Sequence, residues 1–337
     1  MRFDVQHLFA GKTLALILVA LAGLVLAACG SDAKDPLELV PARANLLGSA
    51  DLPTILNDAD VEAGFGLIAA ADPELPQTLA ESLVEAEEML GVDLSAVGIA
   101  VIFGDLGSDG SGDYVGFIFA GEFDRDEIFA VIRANSDDPI EQVTYHDELM
   151  LVAVADDDEP DFAGAVVAGA FVAGSVDAVR DVIDVNAGNP PVGGELVTFY
   201  EGLGDVWAKL ALVVPAGALD DFGDGGELGI PVDLGDLLTL ELVGLVADKD
   251  GDDAVLRVVA SYPGATEATE TAETLNALLT LLPTLVGDDS MAEFIEGLTI
   301  SASGDEVLVE IRSSAQKVLD DLEAGVGAFG GAARIGL

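Results

Sequence analysis

VGIAVIF (residues 97–103) and YVGFIFAGE (residues 114–122) decide the fold: two β-branched and aromatic runs separated by GDLGSDGSGD (residues 104–113). Val, Ile and Phe at this density favour extended chain, and a connector of Gly, Ser and Asp favours reversal, so the segment reads as an antiparallel hairpin. Directly after it, Asp124 is followed three residues later by Glu127. That spacing is a capping box and predicts a helix over residues 125–134. Hairpin followed by helix is the unit from which the rest of the chain is read.

Towards the N-terminus, residues 45–50 form a strand, and Asp51, Leu52, Pro53 and Thr54 form a turn or helix start. Residues 76–90 are an amphipathic helix. Leu79, Leu83, Ala86 and Leu90 share one face, Glu81, Glu85, Glu87 and Glu88 lie largely opposite, and Gly91 ends it. Towards the C-terminus, 140–145 and 149–155 make a second hairpin turning at His146, Asp147 and Glu148. Residues 165–173 are a strand or a close pair, and Ser175 caps a helix running through 185. Residues 186–194, with Gly188, Pro190, Pro191, Gly193 and Gly194, mark a domain boundary.

The second half repeats this order. A strand at 210–214 precedes an irregular Gly-Asp loop at 220–231, and a hairpin pairs 238–247 with 254–262. A long helix at 267–282 is ended by Pro283. Residues 298–303 and 307–312 form a hairpin around Gly304 and Asp305, and Ser314 opens a helix at 315–324. The expected class is α+β: two tandem units, each an antiparallel sheet with helices packed on one face. Unit 1 spans 39–190, unit 2 spans 191–325, and 326–337 is a glycine-rich tail. The layout is similar to that of uncharacterised bacterial envelope families built from two such units, a resemblance that implies no activity.

The N-terminus supplies an address. Arg2 and Lys12 make a weakly basic start, residues 13–25 are an apolar core, and Leu26, Ala27 and Ala28 precede Cys29, the chain's single cysteine. The apolar core falls short of the roughly 20 residues a membrane span needs. Small residues suit a peptidase cleft and the thiol can be alkylated. An ordinary secretory signal or an uncleaved anchor would place a cysteine there only by coincidence. The run Leu26-Ala27-Ala28-Cys29 resembles the lipobox of bacterial lipoproteins. That resemblance implies a signal peptide at 1–28, diacylglyceryl (and palmitate-type) acylation of Cys29, and a lipidated tether at 29–38. It places the folded body on the extracytoplasmic face of the cell membrane or envelope. Two acyl chains suffice for stable anchoring, at about 0.8 kcal/mol per buried CH₂. With one cysteine, no intrachain disulfide can form, so the fold rests on its core.

The chain carries 62 Asp and Glu against 13 Lys and Arg, a formal net charge of −49, yet 51% of its residues are hydrophobic. High charge with low hydrophobicity means disorder; this combination means a core under an acidic shell. The shell repels nucleic acid, which needs clustered cations, and anionic headgroups, which leaves membrane attachment to the acyl chains on Cys29. Two explanations fit it: adaptation to a salty medium, where salt screens the repulsion, or a cationic or basic envelope partner.

The residues for common active sites are mostly missing. His146 is the one histidine outside the leader, in a setting that reads as an exposed turn, so neither a nucleophilic triad nor a histidine zinc site can be assembled. Residues 325–330 match a dinucleotide fingerprint but follow a helix rather than a strand. Asp248, Asp250, Asp252 and Asp253, and separately Asp105, Asp109 and Asp113, leave weak calcium binding open, but neither loop has the helix-flanked pattern with its bidentate Glu. No catalytic, cofactor-binding or metal-ligating residue is assigned; Cys29 is the one assigned site. The expectation is a non-enzymatic binding or structural envelope module. The alternatives are a secreted carboxylate- or metal-dependent hydrolase and a hydrophobic-ligand carrier.

Overall fold

The computed structural model describes residues 35–71, 76, 78–90, 97–107, 114–121, 123–136, 139–154, 160–215, 239–286 and 297–319. Cys29, Asp109, Asp113, the loop at 220–231 and the glycine-rich tail lie outside them. Twelve strands are described: β1 (Leu46–Asp51), β2 (Ile99–Asp105), β3 (Tyr114–Phe119), β4 (Ile140–Tyr145), β5 (Glu148–Val154), β6 (Pro160–Val167), β7 (Ala170–Gly174), β8 (Ala208–Val213), β9 (Leu242–Asp250), β10 (Asp253–Ser261), β11 (Leu298–Ser303) and β12 (Glu306–Ser314). The helices are α1 (Leu52–Leu56), α2 (Ala59–Ala71), α3 (Leu79–Leu90), α4 (Arg125–Asn135), α5 (Val176–Ala187), α6 (Glu195–Gly202) and α7 (Ala265–Val286).

The α+β class and the antiparallel pairing are as expected, but the strands do not form a separate sheet in each half. They make one continuous sheet in the order β11-β12-β10-β9-β8-β1-β2-β3-β7-β6-β5-β4. The seam is β1, which pairs with β2 on one side and with β8 on the other, Leu47 lying opposite both Phe103 and Ala211. Joining the halves this way removes two sheet edges that would otherwise expose unpaired backbone groups.

Local chemistry sets the turns and caps. In the β4–β5 hairpin, His146 (φ 46°) and Asp147 (φ 67°) both adopt the left-handed region, the requirement of a two-residue turn whose twist matches the strands. Ala168 (φ 50°) and Gly169 (φ 86°) do the same between β6 and β7. Asp124 accepts hydrogen bonds from the amides of Asp126 and Glu127 to start α4, and Ser175 accepts from Ala178 to start α5. Helix α7 departs from the sequence reading: it continues through Pro283 to Val286 instead of stopping there. Proline removes one amide donor but leaves the remaining turns free to form.

Residues paired across strands share a face of the sheet, so the register assigns every strand side chain. Face A carries Leu47, Val101, Phe103, Ile118, Val172, Ala165, Met150, Ala211 and Val246, buried with Val179, Val182 and Ile183 of α5 and Leu196, Phe199 and Tyr200 of α6. Face B carries Ala50, Ala100, Leu151, Phe171 and Ala173, buried with Leu52 and Ile55 of α1 and Ile128 and Phe129 of α4. At the far edge Val307 packs with Ala268 and Ala272 of α7, joined by Ile300 and Val309. Helices therefore cover both faces, where the sequence reading placed them on one. The reason is β7, whose five residues are all buried: a strand apolar on both parities needs a cover on each side.

Candidate functional site: an apolar sheet face between two helical flanks

On face B, the strands between the α1–α4 flank and α7 present an unbroken apolar surface. The register puts Val115 and Phe117 (β3), Ile102 (β2), Leu46 (β1), Leu210 and Leu212 (β8), Val243 and Leu245 (β9) and Leu256 and Val258 (β10) on this side. Five of these strands alternate with the opposite parity under α6 or within the face A core. Gly244 shows how tight that other side is: an added Cβ would lie 2.7 Å from Leu203 and 3.1 Å from Phe199.

The described helices only partly cover face B. Leu245 is 42% exposed and Leu256 45% exposed, while Leu46, Ile102, Val115, Phe117, Leu210, Leu212, Val243 and Val258 are half-buried. Leu245 pairs with Val258 and Leu256 with Ala247, so the two leucines are diagonal neighbours in one patch rather than scattered residues. At 4.7–4.9 Å per strand, the floor from β3 to β10 spans about 24 Å.

One end of the floor is closed by an ion pair. Lys249 Nζ donates to Asp58 Oδ2 at 2.5 Å and to Asp60 Oδ2 at 2.6 Å, and lies 5.7 Å from the centre of the Trp207 ring. Burial alone would raise the Asp58 carboxyl; the hydrogen bond from Lys249, with those from the amides of Asp60 and Val61, outweighs it and holds the group below the ordinary carboxylate value. The hydrogen bonds to Asp58 and Asp60 hold the Lys249 ammonium above its ordinary value despite partial burial. The pair ties the start of α2 to β9. Further along α2, a Cβ at Gly64 would lie 3.4 Å from Leu319, so this helix also meets the segment after β12.

The polar residues singled out from sequence lie elsewhere. His146 sits in its hairpin turn, 55% exposed, with Nε2 3.5 Å from Asp184. Asp184 also accepts from Tyr145, and Asp181 of the same helix accepts from Tyr114 at 2.9 Å. Asp248 and Asp250 face arginines, Arg257 at 3.7 Å and Arg312 at 2.7 Å, and Arg312 is also 4.0 Å from Asp253. Asp105 is held by Arg43 and Asn45 at 3.0 Å each. Among the described residues no three His, Cys, Asp or Glu side chains converge on a point that could hold a metal ion. No described helix is long and apolar enough to cross a membrane.

No protein-family model matches the chain, and no curated protein sequence matches it at a significant level. Among solved structures it is similar to crystal form III of TP0453 (TM-score 0.49, 11% identity, covering 87% of this chain and 100% of that one). Crystal form I of TP0453 gives a TM-score of 0.46 at 11% identity, covering 88% and 99%.

The face B floor was missed by the sequence reading. Its signal is weak but present: in residues 242–246 both parities are apolar, which requires a cover on each side.

Proposed function

We propose that this chain is a non-enzymatic, extracytoplasmic binding protein, held to the cell membrane or envelope by acyl chains on Cys29, that carries an apolar ligand on face B of its sheet. The observation that supports it is the exposure of Leu245 and Leu256 at the β9–β10 end of an apolar floor that runs over six strands. Fully burying one such side chain is favourable by about 1.5–3 kcal/mol, and contiguous exposed apolar surface of this kind marks an interaction site. In this reading units 39–190 and 191–325 each supply one flank, α1, α2 and α4 from the first and α7 from the second. The ligand lies across their seam, in keeping with the preference of ligand sites for domain interfaces.

The test is titration with the neutral fluorescent probe N-phenyl-1-naphthylamine. Saturable binding to the wild-type chain, weakened about tenfold or more by Leu245→Asp with Leu256→Asp at unchanged circular dichroism, supports the reading. Absence of saturable binding, or binding indifferent to the double substitution, overturns it.

A further inference from the structure

The charges around the floor narrow its ligand. Four described strand residues are cationic: Lys209, Lys249, Arg257 and Arg312. Lys209 pairs in register with Ser49 and Val246, Arg257 with Val246 and Glu310, and Arg312 with Val255, which places all three on face A. Lys249 alone belongs to face B, and its ammonium is already shared between two carboxylates at 2.5 and 2.6 Å. Every other face B side chain of β1, β2, β3, β8, β10, β11 and β12 is apolar or small, Ser313 at the end of β12 being the polar exception. The floor therefore offers an anionic headgroup no free cation from the sheet, in a chain of net charge −49 whose field opposes its approach. The same field opposes face-to-face association of two copies, each carrying that charge.

Size points the same way. A bilayer core of about 30 Å is two acyl chains thick, so one chain is about 15 Å long, and a floor of about 24 Å accommodates it fully. Resting on the carrier reading above, we infer that the ligand class is an uncharged acyl lipid and that anionic lipids of equal chain length are discriminated against.

Native mass spectrometry of the full chain, released from detergent after incubation with equimolar dioleoylglycerol and dioleoylphosphatidylglycerol, tests this. The diacylglycerol adduct is expected to exceed the phosphatidylglycerol adduct by about fivefold or more at low ionic strength, and the ratio to fall towards unity at molar ammonium acetate, where screening removes the long-range repulsion. Lys317→Met, which removes the ammonium group of the segment after β12, is expected to leave the preference in place. Equal adducts, or a phosphatidylglycerol excess, overturn the inference and leave the carrier reading standing. Loss of a phosphatidylglycerol adduct in the Lys317→Met variant also overturns it, by exposing a headgroup cation. No adduct of either lipid, together with no binding of the neutral probe, overturns both.

Discussion

Lys249 of β9 and Asp58, at the start of α2, meet at 2.5 Å although 191 residues separate them in the chain, and each is only 16% exposed. The contact joins the last third of the sequence to the first helices and closes one end of the apolar floor. Its second carboxylate, Asp60, is more open at 42%. A lysine shared between two acidic groups is the arrangement expected where a buried ammonium must be compensated in a chain rich in carboxylates.

Lys249→Met leaves Asp58 desolvated without its partner. The unfolding free energy at pH 7 should fall by about 1–3 kcal/mol, between the values for exposed and for fully buried pairs. The pH dependence has two arms. Asp58 is depressed in the fold, so its contribution is present above the ordinary carboxylate value and is lost as pH falls through its folded value. Lys249 is raised, so its contribution is present below the ordinary lysine value and is lost as pH rises through its folded value. Urea titrations of both proteins from pH 3 to 11 should show a difference that is widest between about pH 5 and 10 and narrows at both ends. A gap of constant size across that range would contradict the pairing.

Gly116 faces the ring of Phe103 across the β2–β3 pair, where an added Cβ would sit 2.2 Å from a ring carbon, with two more within 2.9 Å. Phe103 is fully buried and in edge contact with Tyr114, 6.1 Å between centroids, so it has little room to move. Gly116→Ala should cost about 1–3 kcal/mol by overpacking. Gly193→Ala, where nothing lies within 4 Å, should be close to neutral. Equal denaturation midpoints for the two variants would mean that the β2–β3 register is wrong.

Much of the strand content was legible because period-2 runs and two-residue turns are local signals. His146 with Asp147 and Gly304 with Asp305 fixed two hairpins, and Asp124 and Ser175 fixed two helix starts. What escaped was non-local or weakly patterned. Helix α2 (ADVEAGFGLIAAA) is apolar around most of its circumference and holds Gly64 and Gly66, so it has no polar stripe to announce it. Helix α6 has eight residues and directly follows residues 186–194, whose Gly and Pro composition signals a linker. The β1–β8 pairing joins residues more than 150 apart, and no turn residue encodes such a contact. The floor was hidden for the same reason: alternation can show that residues 242–246 are apolar on both parities, but not that α6 covers Gly244 while leaving Leu245 open.

Leu47 and Leu245 separate packing from binding. Leu47 is fully buried in the face A core beside Phe103 and Ala211, and Leu47→Ala should cost about 2–5 kcal/mol. Leu245 is 42% exposed, and Leu245→Ala should change stability by about 0.5 kcal/mol or less in the absence of ligand. Guanidinium denaturation of delipidated protein measures both. A large loss at Leu245 would assign that residue to the core rather than to a ligand face.

The acidic shell should make stability depend on ionic strength. With a net charge of −49, self-repulsion destabilises the compact state most at low salt, and the Debye length falls from about 30 Å at 0.01 M to about 3 Å at 1 M. The thermal midpoint should rise between these limits with NaCl and with KCl alike. A rise produced by millimolar calcium but by neither monovalent salt would instead favour specific cation binding.

The proposed membrane attachment rests on one atom, the sulfur of Cys29, and the charge argument makes that proposal testable. A surface this acidic is repelled by anionic headgroups, and raising salt weakens the repulsion without supplying any attraction. The proposed acyl chains, by contrast, bind through buried CH₂ groups at about 0.8 kcal/mol each and are indifferent to salt. Wild-type protein should therefore stay in the membrane fraction through a high-salt wash and through alkaline carbonate, and the mass of its mature N-terminus should show Cys29 carrying acyl groups with residues 1–28 removed. Cys29→Ser abolishes the thiol that the alkylation needs. The variant should lose the acyl mass and appear in the soluble extracytoplasmic fraction once the leader is cleaved by the ordinary secretory route, with the circular dichroism of the folded body unchanged. If the leader stays uncut, the intact mass shows it, and the retained chain should then be released by a protease site placed in the 29–38 tether. A cleaved, unacylated Cys29→Ser chain that still resists the salt wash would require a second membrane contact and would refute the single-anchor account.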